Sequence, residues 1–280
     1  MNKINLGCGY NYVNSNEWVN LDFVSTGENV IAHNLLKGIP FKNESFDLVY
    51  HSHLLEHFSK ADGQKLIAEC FRVLRPGGIL RIVVPDLEGI VRDYIKCLEV
   101  ALTTPDNELA ISNYNWMLLE LYDQAVRNNS GGNMKEYLFQ DIILNEKFVY
   151  ERIGQEAKSI RNTLFTTRNN LSLKTNPEIS HLDQRNFINT FKKRFKTYVL
   201  KKLGVDEKVL EVGKFRFGGE VHQWMYDRFS LFSLLHNYGG TSIELKNAFS
   251  SFCNNWSFYN LDSIDGEIRK PDSLFMEAIK

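Results

Sequence analysis

Apolar and polar positions in the first 86 residues change periodicity at short intervals, and Gly, Pro, Asn and Asp punctuate the changes. Lys3-Ile4-Asn5-Leu6, Trp18 to Asp22 and Val30-Ile31-Ala32 read as short strands, and Phe46-Asp47-Leu48-Val49-Tyr50 as a fourth. Residues 62–74 repeat apolar side chains at Leu66, Ile67, Cys70, Phe71 and Leu74, the stripe of an amphipathic helix. Arg75-Pro76-Gly77-Gly78 stops that helix, and residues 79–86 form a β-branched run suited to a strand buried on both faces. Strand and helix signals alternating in this way predict a parallel sheet covered by helices.

Beyond Leu87 the pattern becomes helical to about Lys214, rich in Asn, Gln, Lys and Glu. Residues 223–238 read as one amphipathic helix ending at Gly239-Gly240, and residues 241–248 and 272–280 as two closing strands able to pair antiparallel. The expected architecture is α/β and Rossmann-like: a mostly parallel sheet with an antiparallel last strand, interrupted by a large helical insertion. Its divisions are 1–86, the insertion 87–214 capping the carboxyl edge of the sheet, and 215–280.

Composition narrows the partners. Lys+Arg 33 against Asp+Glu 34 leaves a net charge of -1, so no global field draws the chain to nucleic acid. Cys8, Cys70, Cys97 and Cys253 lie far apart without a CxxC pair, which argues against a zinc site or disulfide framework and fits a reducing cytoplasm. No metal is assigned. Neither a charged-then-apolar leader nor a run of roughly 18 apolar residues is present, so a cytoplasmic location is expected. In residues 187–203, Ile188, Phe191, Phe195, Tyr198, Val199 and Leu203 form one stripe beside lysines. A helix packing its apolar side explains that pattern, and peripheral docking on a membrane surface is the sharper alternative.

The chemistry begins at Leu6-Gly7-Cys8-Gly9. In an open parallel sheet, ligands bind beyond the carboxyl ends of the strands, and glycine lets the backbone come close there. Asp22 ends the second strand, where a carboxylate can accept hydrogen bonds from both hydroxyls of a ribose. A plain tight turn fits the same residues, and the longer GxGxxG of dinucleotide sites is absent because Asn11, Tyr12 and Val13 follow Gly9.

The following segments, "AHNLLKGIPFKNESFDLVYHSHLLEHF" and "AECFRVLRPGGILRIVVPD", resemble class I S-adenosylmethionine-dependent methyltransferases, in the family's order, over residues 3 to 86 and more loosely over 222 to 280. The resemblance implies S-adenosylmethionine as cofactor. It places Leu6, Gly7, Cys8 and Gly9 at the methionine end, Asp22 on the ribose, Asn34 and Leu35 at the adenine, and Ser52 at the exit of the fourth strand. Two departures stand out. Residues 10–21 are too short and turn-rich for the usual first helix, and Asn34 replaces an acid, although its side-chain oxygen can accept the same bond. WVNLD, SHLLEH, VVPDLE, ELYDQAVRNNSGG, HQWMYDRFSL and RKPDSLFMEAIK also resemble a bacterial subgroup associated with surface-polysaccharide biosynthesis.

Methyl transfer from a sulfonium needs an aligned acceptor and, for a hydroxyl, a base. His53 follows strand four, where this fold faces the methyl group, and imidazole titrates near neutral pH. Shaping the cofactor pocket is its alternative role, and His57 reads as structural. His222 is expected at the start of the 223–238 helix, at the ligand edge, either in catalysis or as a cap. Helical spacing places Glu120, Asp123, Gln124 and Arg127 on one face, suited to a hydroxyl-rich acceptor or simply to solvent, with Asp123 the third candidate base. Trp224 and Tyr226 can stack on a sugar or pack in the core. The expectation is O-methylation of a saccharide or another hydroxyl-bearing small molecule. N-methylation of a small amine, or a silent cofactor-binding protein whose insertion binds a partner, are the alternatives. Oligomeric state is left open.

Overall fold

The structure, a computed structural model, describes residues 1–172, 202 and 204–280. Seven strands form one sheet: β1 (Lys3–Leu6), β2 (Trp18–Asp22), β3 (Val30–Ala32), β4 (Phe46–Ser52), β5 (Leu74–Pro85), β6 (Thr241–Lys246) and β9 (Ser273–Ile279), while β7 (Ser263–Ile264) and β8 (Glu267–Ile268) pair separately. The sheet order is β3-β2-β1-β4-β5-β9-β6. β1 to β5 are mutually parallel, and β9 is antiparallel to both β5 and β6. The expected Rossmann-like sheet with one antiparallel strand is present.

The order reverses between β1 and β4, so their carboxyl ends open a crevice at the switch point, where ligands of such sheets bind. Residues 10–17 form no helix, and β2 follows the glycine turn directly. α1 (Lys60–Val73) is capped by Ser59, whose hydroxyl accepts from the Asp62 N–H. Leu74, expected in the helix, and Arg75 to Gly78, expected as a break, instead begin β5 beside Phe46 of β4, and the pairing shifts register between Phe46 and Leu48.

The two faces of the sheet bury different material. On one, Ile4, Leu6, Leu21, Val49, Leu80 and Ile82 pack with α1 and with α7 (Arg228–Asn237). On the other, Leu48, Tyr50, Val83 and Phe275 pack beneath Trp256, Cys253 and Leu261, which belong to the chain between β6 and β7. Arg81 holds that cover in place. It is wholly buried, donates to Asp262 at 2.7 Å and Glu277 at 2.8 Å, and also donates to the carbonyls of Ser250 and Asn247.

Beyond β5 come α2 (Leu87–Thr103), α3 (Glu108–Val126), α4 (Gly132–Leu138), α5 (Glu146–Ser172, broken at Gly154) and α6 (Glu207–Arg216). These have a core of their own, with Ile90, Trp116, Met117, Leu138, Val149 and Ala157 at its centre. Apart from Lys202, the basic stretch 187–203 lies outside the described residues. Among the described residues, no helix is long and apolar enough to cross a membrane.

The helix expected over 223–238 is shorter. It starts at Arg228, where Asp227 and Ser230 form a capping box. Residues 222–226 form no helix, and Tyr226 makes an isolated bridge to Asp86, because tertiary partners take their backbone groups. The His222 N–H donates to the Gln124 carbonyl, those of Gln223 and Trp224 donate to the Glu56 carbonyl, and the Tyr226 carbonyl accepts from Leu87. His222 therefore begins no helix.

Candidate active site

Two adjoining cavities lie at the carboxyl edge of the sheet. The first, of about 690 Å³, is lined by Cys8, Gly9, Tyr10, Asn11, Ser52, Val83 and by Asp262, Arg269 and Lys270. Gly7 and Gly9 have φ of +63° and +52°, a left-handed conformation that favours glycine. Above Gly7 the Leu54 side chain sits so close that a Cβ would meet it at 2.6 Å, whereas a Cβ on Gly9 would meet nothing within 4 Å. The backbone at Gly9 is open for close approach of a ligand.

Asp22 Oδ2 accepts from the Gly9 N–H at 2.8 Å, so the carboxylate at the end of β2 holds the turn. Its Oδ1 has only a long contact of 3.4 Å from the Val24 N–H, which leaves lone pairs for a diol. Asn34 caps a short 3-10 helix, Leu35–Lys37, by accepting from the Leu36 N–H at 3.0 Å. Cys8 is buried, and burial together with the nearby Asp22 charge pushes its thiol up to about 12, so it stays protonated and inert. Leu6 belongs to the core rather than to a cavity wall. The open glycine turn fits a nucleoside cofactor such as S-adenosylmethionine. Gly9 and Ser52 line the cavity that would hold it, and Asp22 stands behind the turn through its bond to the Gly9 N–H, outside that lining.

The second cavity, of about 570 Å³, is walled on the sheet side by His53, Glu56, His57, Pro85 and Asp272, and by His222 and Lys270. Opposite these it is walled by Gln124, Arg127, Met134, Leu138, Ile153 and Glu156, from α3 to α5 and the turn after α3. Glu156 and Lys270, paired at 2.7 Å, line both cavities and stand at their boundary.

His53 directly follows β4 with φ of +49°, an uncommon conformation for a residue with a side chain and one that concentrates at functional sites. Its Nδ1 lies 3.3 Å from Glu56 Oε1, and its Nε2 is 2.9 Å from the Ser273 hydroxyl. The network assigns the proton to Nδ1, facing the carboxylate, and leaves Nε2 as an acceptor. Burial would raise the Glu56 pKa, but the imidazoles of His53, His57 and His222 outweigh it and pull the carboxyl down to about 2. Glu56 is thus a buried carboxylate. The 3.3 Å approach of His53 is an ion-pair distance, and neither Glu56 oxygen has a well-aligned hydrogen-bond donor.

His222 is 7 % exposed, and burial pushes it down to about 3, against the pull of Glu56, so its ring is neutral. It meets the His57 ring edge-on, with centroids 4.9 Å apart. Asp272 is raised above the usual carboxylate range by burial, with His53, Lys270 and Arg152 pulling the other way.

Other expected site residues lie elsewhere. Asp123 is buried, receives the N–H groups of Asn133 and Met134 at the start of α4, and pairs with Arg127 at 3.1 Å. It is a helix cap and does not line the cavity. Glu120 is buried against Arg152, at 2.7 Å, and the Trp116 indole. Tyr226 is a core residue, 4 % exposed, and Trp224 carries the Lys60 ammonium 4.8 Å above its ring, outside both cavities. Of the insertion residues singled out, Gln124 and Arg127 reach the cavity. Glu56, Glu156, Lys270, Asp272 and Ser273 were missed. The LEH and RKPDS motifs that contain all but Glu156 were visible, but no spacing rule brings residues 56 and 272 together.

Residues 15–82 match the family model described as a methyltransferase domain. Over 56 residues the chain is 38% identical to a protein of Mycolicibacterium smegmatis described as a probable S-adenosylmethionine-dependent methyltransferase. That match spans 20% of this chain and 21% of the relative. Among solved structures, a SAM-dependent methyltransferase of Archaeoglobus fulgidus overlaps 100% of this chain and 86% of its own at 10% identity and a TM-score of 0.38. One from Aquifex aeolicus overlaps 31% and 57% at 16% identity and a TM-score of 0.26. The strand order, rather than these overlaps, defines the fold. The matched segment is similar to a methyltransferase domain, and the chain spans about a fifth of the length of the relative it matches.

Proposed function

We propose that the chain is an S-adenosylmethionine-dependent methyltransferase that methylates a hydroxyl of a polar, hydroxyl-rich small molecule, a saccharide-bearing intermediate being the leading class. The observation that carries this reading is the His53–Glu56 pair in the wall of one cavity, directly beside a second cavity at the glycine turn. When bound, S-adenosylmethionine supplies a methyl group on a sulfonium, activated for in-line displacement. The chain aligns the acceptor and takes its proton. Glu56 fixes the His53 ring through Nδ1, so Nε2 can exchange the Ser273 hydroxyl for the acceptor hydroxyl and accept the proton as the oxygen gains its methyl group. Gln124, Arg127, Lys270 and Asp272 offer donors and acceptors to further hydroxyls.

The test is calorimetric titration with S-adenosylmethionine and S-adenosylhomocysteine, followed by a labelled-methyl screen over nucleotide sugars and glycans. His53→Ala is expected to lower transfer by about 10²–10⁴-fold while leaving S-adenosylhomocysteine affinity within about threefold, since a positioned base contributes to the chemical step. A second reading is favoured by the four carboxylates in the acceptor cavity, Glu56, Glu156, Glu220 and Asp272, which suit a cationic amine. Near-normal turnover of His53→Ala on an amine would select it, because an amine acceptor needs no strong base.

A further inference from the structure

We infer that Glu56, His57 and His222 form a binding site for one zinc-class divalent cation, with its open coordination position facing the acceptor cavity. One ligand atom from each residue lies within 4.8 Å of the others, and all three residues line the cavity. Two imidazoles and a carboxylate are the donor set for zinc and neighbouring first-row ions rather than for magnesium or calcium, which prefer all-oxygen shells. Three protein ligands with a vacant fourth position are the pattern of reactive rather than structural zinc sites.

The second, independent observation is what these side chains lack. Glu56 is 0% exposed with neither oxygen in a well-aligned hydrogen bond, and the Nδ1 atoms of both His57 and His222 are buried without a hydrogen-bond partner. Buried polar groups are almost always satisfied, and three unsatisfied ligating side chains converging on one point call for a missing partner. A buried carboxylate with only loosely placed imidazoles is a poor device for stability, since apolar replacements of such groups are often neutral or better.

The backbone keeps the three together although they come from segments 165 residues apart. The Glu56 carbonyl accepts from Gln223 N–H at 2.7 Å and Trp224 N–H at 3.2 Å, and the Gln223 side-chain amide donates to the His57 carbonyl at 2.8 Å. These bonds explain why residues 222–224 leave the helical pattern. Zinc–nitrogen bonds of about 2.0–2.1 Å put tetrahedral ligands about 3.4 Å apart, so a cation needs side-chain closure of about an ångström, within reach of χ rotations. His53 stands next to the site through Glu56 and is left free to act as the base.

The inferred role, orienting the acceptor oxygen and easing loss of its proton, rests on the methyltransferase reading; the cation site itself does not. The experiment uses the full chain after chelator treatment and gel filtration. Co²⁺ is titrated by visible absorption, Zn²⁺ by calorimetry, and bound metal is counted by mass spectrometry. The expected result is one equivalent of either ion, a tetrahedral Co²⁺ absorption band, and at least a hundredfold loss of affinity in His57→Ala and in His222→Ala. His236→Gln, an exposed histidine on α7, should bind as the unmodified chain does.

Less than a tenth of an equivalent, or equal binding by the His57 and His222 variants, would overturn the site. Circular dichroism and S-adenosylhomocysteine binding in the same samples establish that each variant is folded. For a variant that does not fold, His222→Gln takes its place and is expected to lose the band. Cation binding without S-adenosylhomocysteine binding by the unmodified chain would sink the methyltransferase reading and leave the metal site standing.

Discussion

Two clusters of buried charge lie on opposite sides of β4 and β5, and they are built in opposite ways. Around Arg81 every charge is answered: Asp262 and Glu277 take its guanidinium, Tyr50 and Trp256 donate to Asp262, and Ser251 and the Phe252 N–H serve Glu277. Around Glu56 three ligating side chains converge, and both Glu56 oxygens and the Nδ1 atoms of His57 and His222 lack a hydrogen-bond partner. Arg81 and Glu56 are both 0% exposed, so the burial of the central charge does not separate them. Completeness of partnering does. A saturated network fixes the fold, here by pinning the segment between β6 and β7 over the sheet, whereas an unsaturated one is kept for something that comes and goes.

The comparison can be broken experimentally. The largest effect on stability is expected for Arg81→Ala, which strands two buried carboxylates and should cost about 3–5 kcal/mol in urea unfolding. A loss below about 1 kcal/mol would mean that the network is ornamental. Glu56→Gln should cost less stability than Arg81→Ala, because it loosens one imidazole–carboxylate contact rather than a saturated network, while transfer falls at least about a hundredfold with the loss of the group that orients His53. A stability loss as large as that of Arg81→Ala would erase the distinction.

Acid probes the same region. His51 on β4 is wholly buried, and burial pushes it down to about 4, with Glu56 pulling the other way. A histidine with a lowered folded pKa contributes stability that is fully present above about pH 6.5 and lost as the pH falls towards 4, where the unfolded chain takes up a proton that the fold refuses. The expected loss is on the order of 2–3 kcal/mol, and thermal melts at pH 7.5 and 4.5 should show it shrinking in His51→Leu. An unchanged pH difference in that variant would assign the acid sensitivity elsewhere. The smallest effect belongs to Asp22→Asn, which keeps an acceptor for the Gly9 N–H but loses the charge. S-adenosylhomocysteine affinity should fall about tenfold, roughly 1.4 kcal/mol, in calorimetry. Unchanged affinity would remove Asp22 from the ribose role.

Much of the frame was legible because local signals and tertiary demands agree there. The runs at 3–6, 18–22 and 46–50 become strands, the last extended to Ser52, and the short turn-rich link after Gly9 leaves no room for a helix. The glycine turn could be read because positive φ at Gly7 and Gly9 is a demand that only the backbone makes. Residues 222–226 misled, since their helical pattern is outweighed by tertiary hydrogen bonds to Glu56, Gln124 and Leu87. Glu120 and Asp123 misled for a related reason. Helical spacing puts them with Gln124 and Arg127 on one face, but Arg152 and the start of α4 draw their carboxylates away from the cavity.

By itself the sequence determined the strand-and-helix grammar, the glycine turn, the acid at the end of β2 and a histidine at the end of β4. Each of these depends on residues near one another in the chain, where periodicity and backbone preference act. Only the tertiary structure decided that Glu56, His57 and His222 meet in one cavity wall, that Lys270 and Glu156 stand between two cavities, and that Asp123 is a cap. Those depend on contacts between segments tens to hundreds of residues apart, and on burial, which turns an ordinary polar side chain into one that must find a partner.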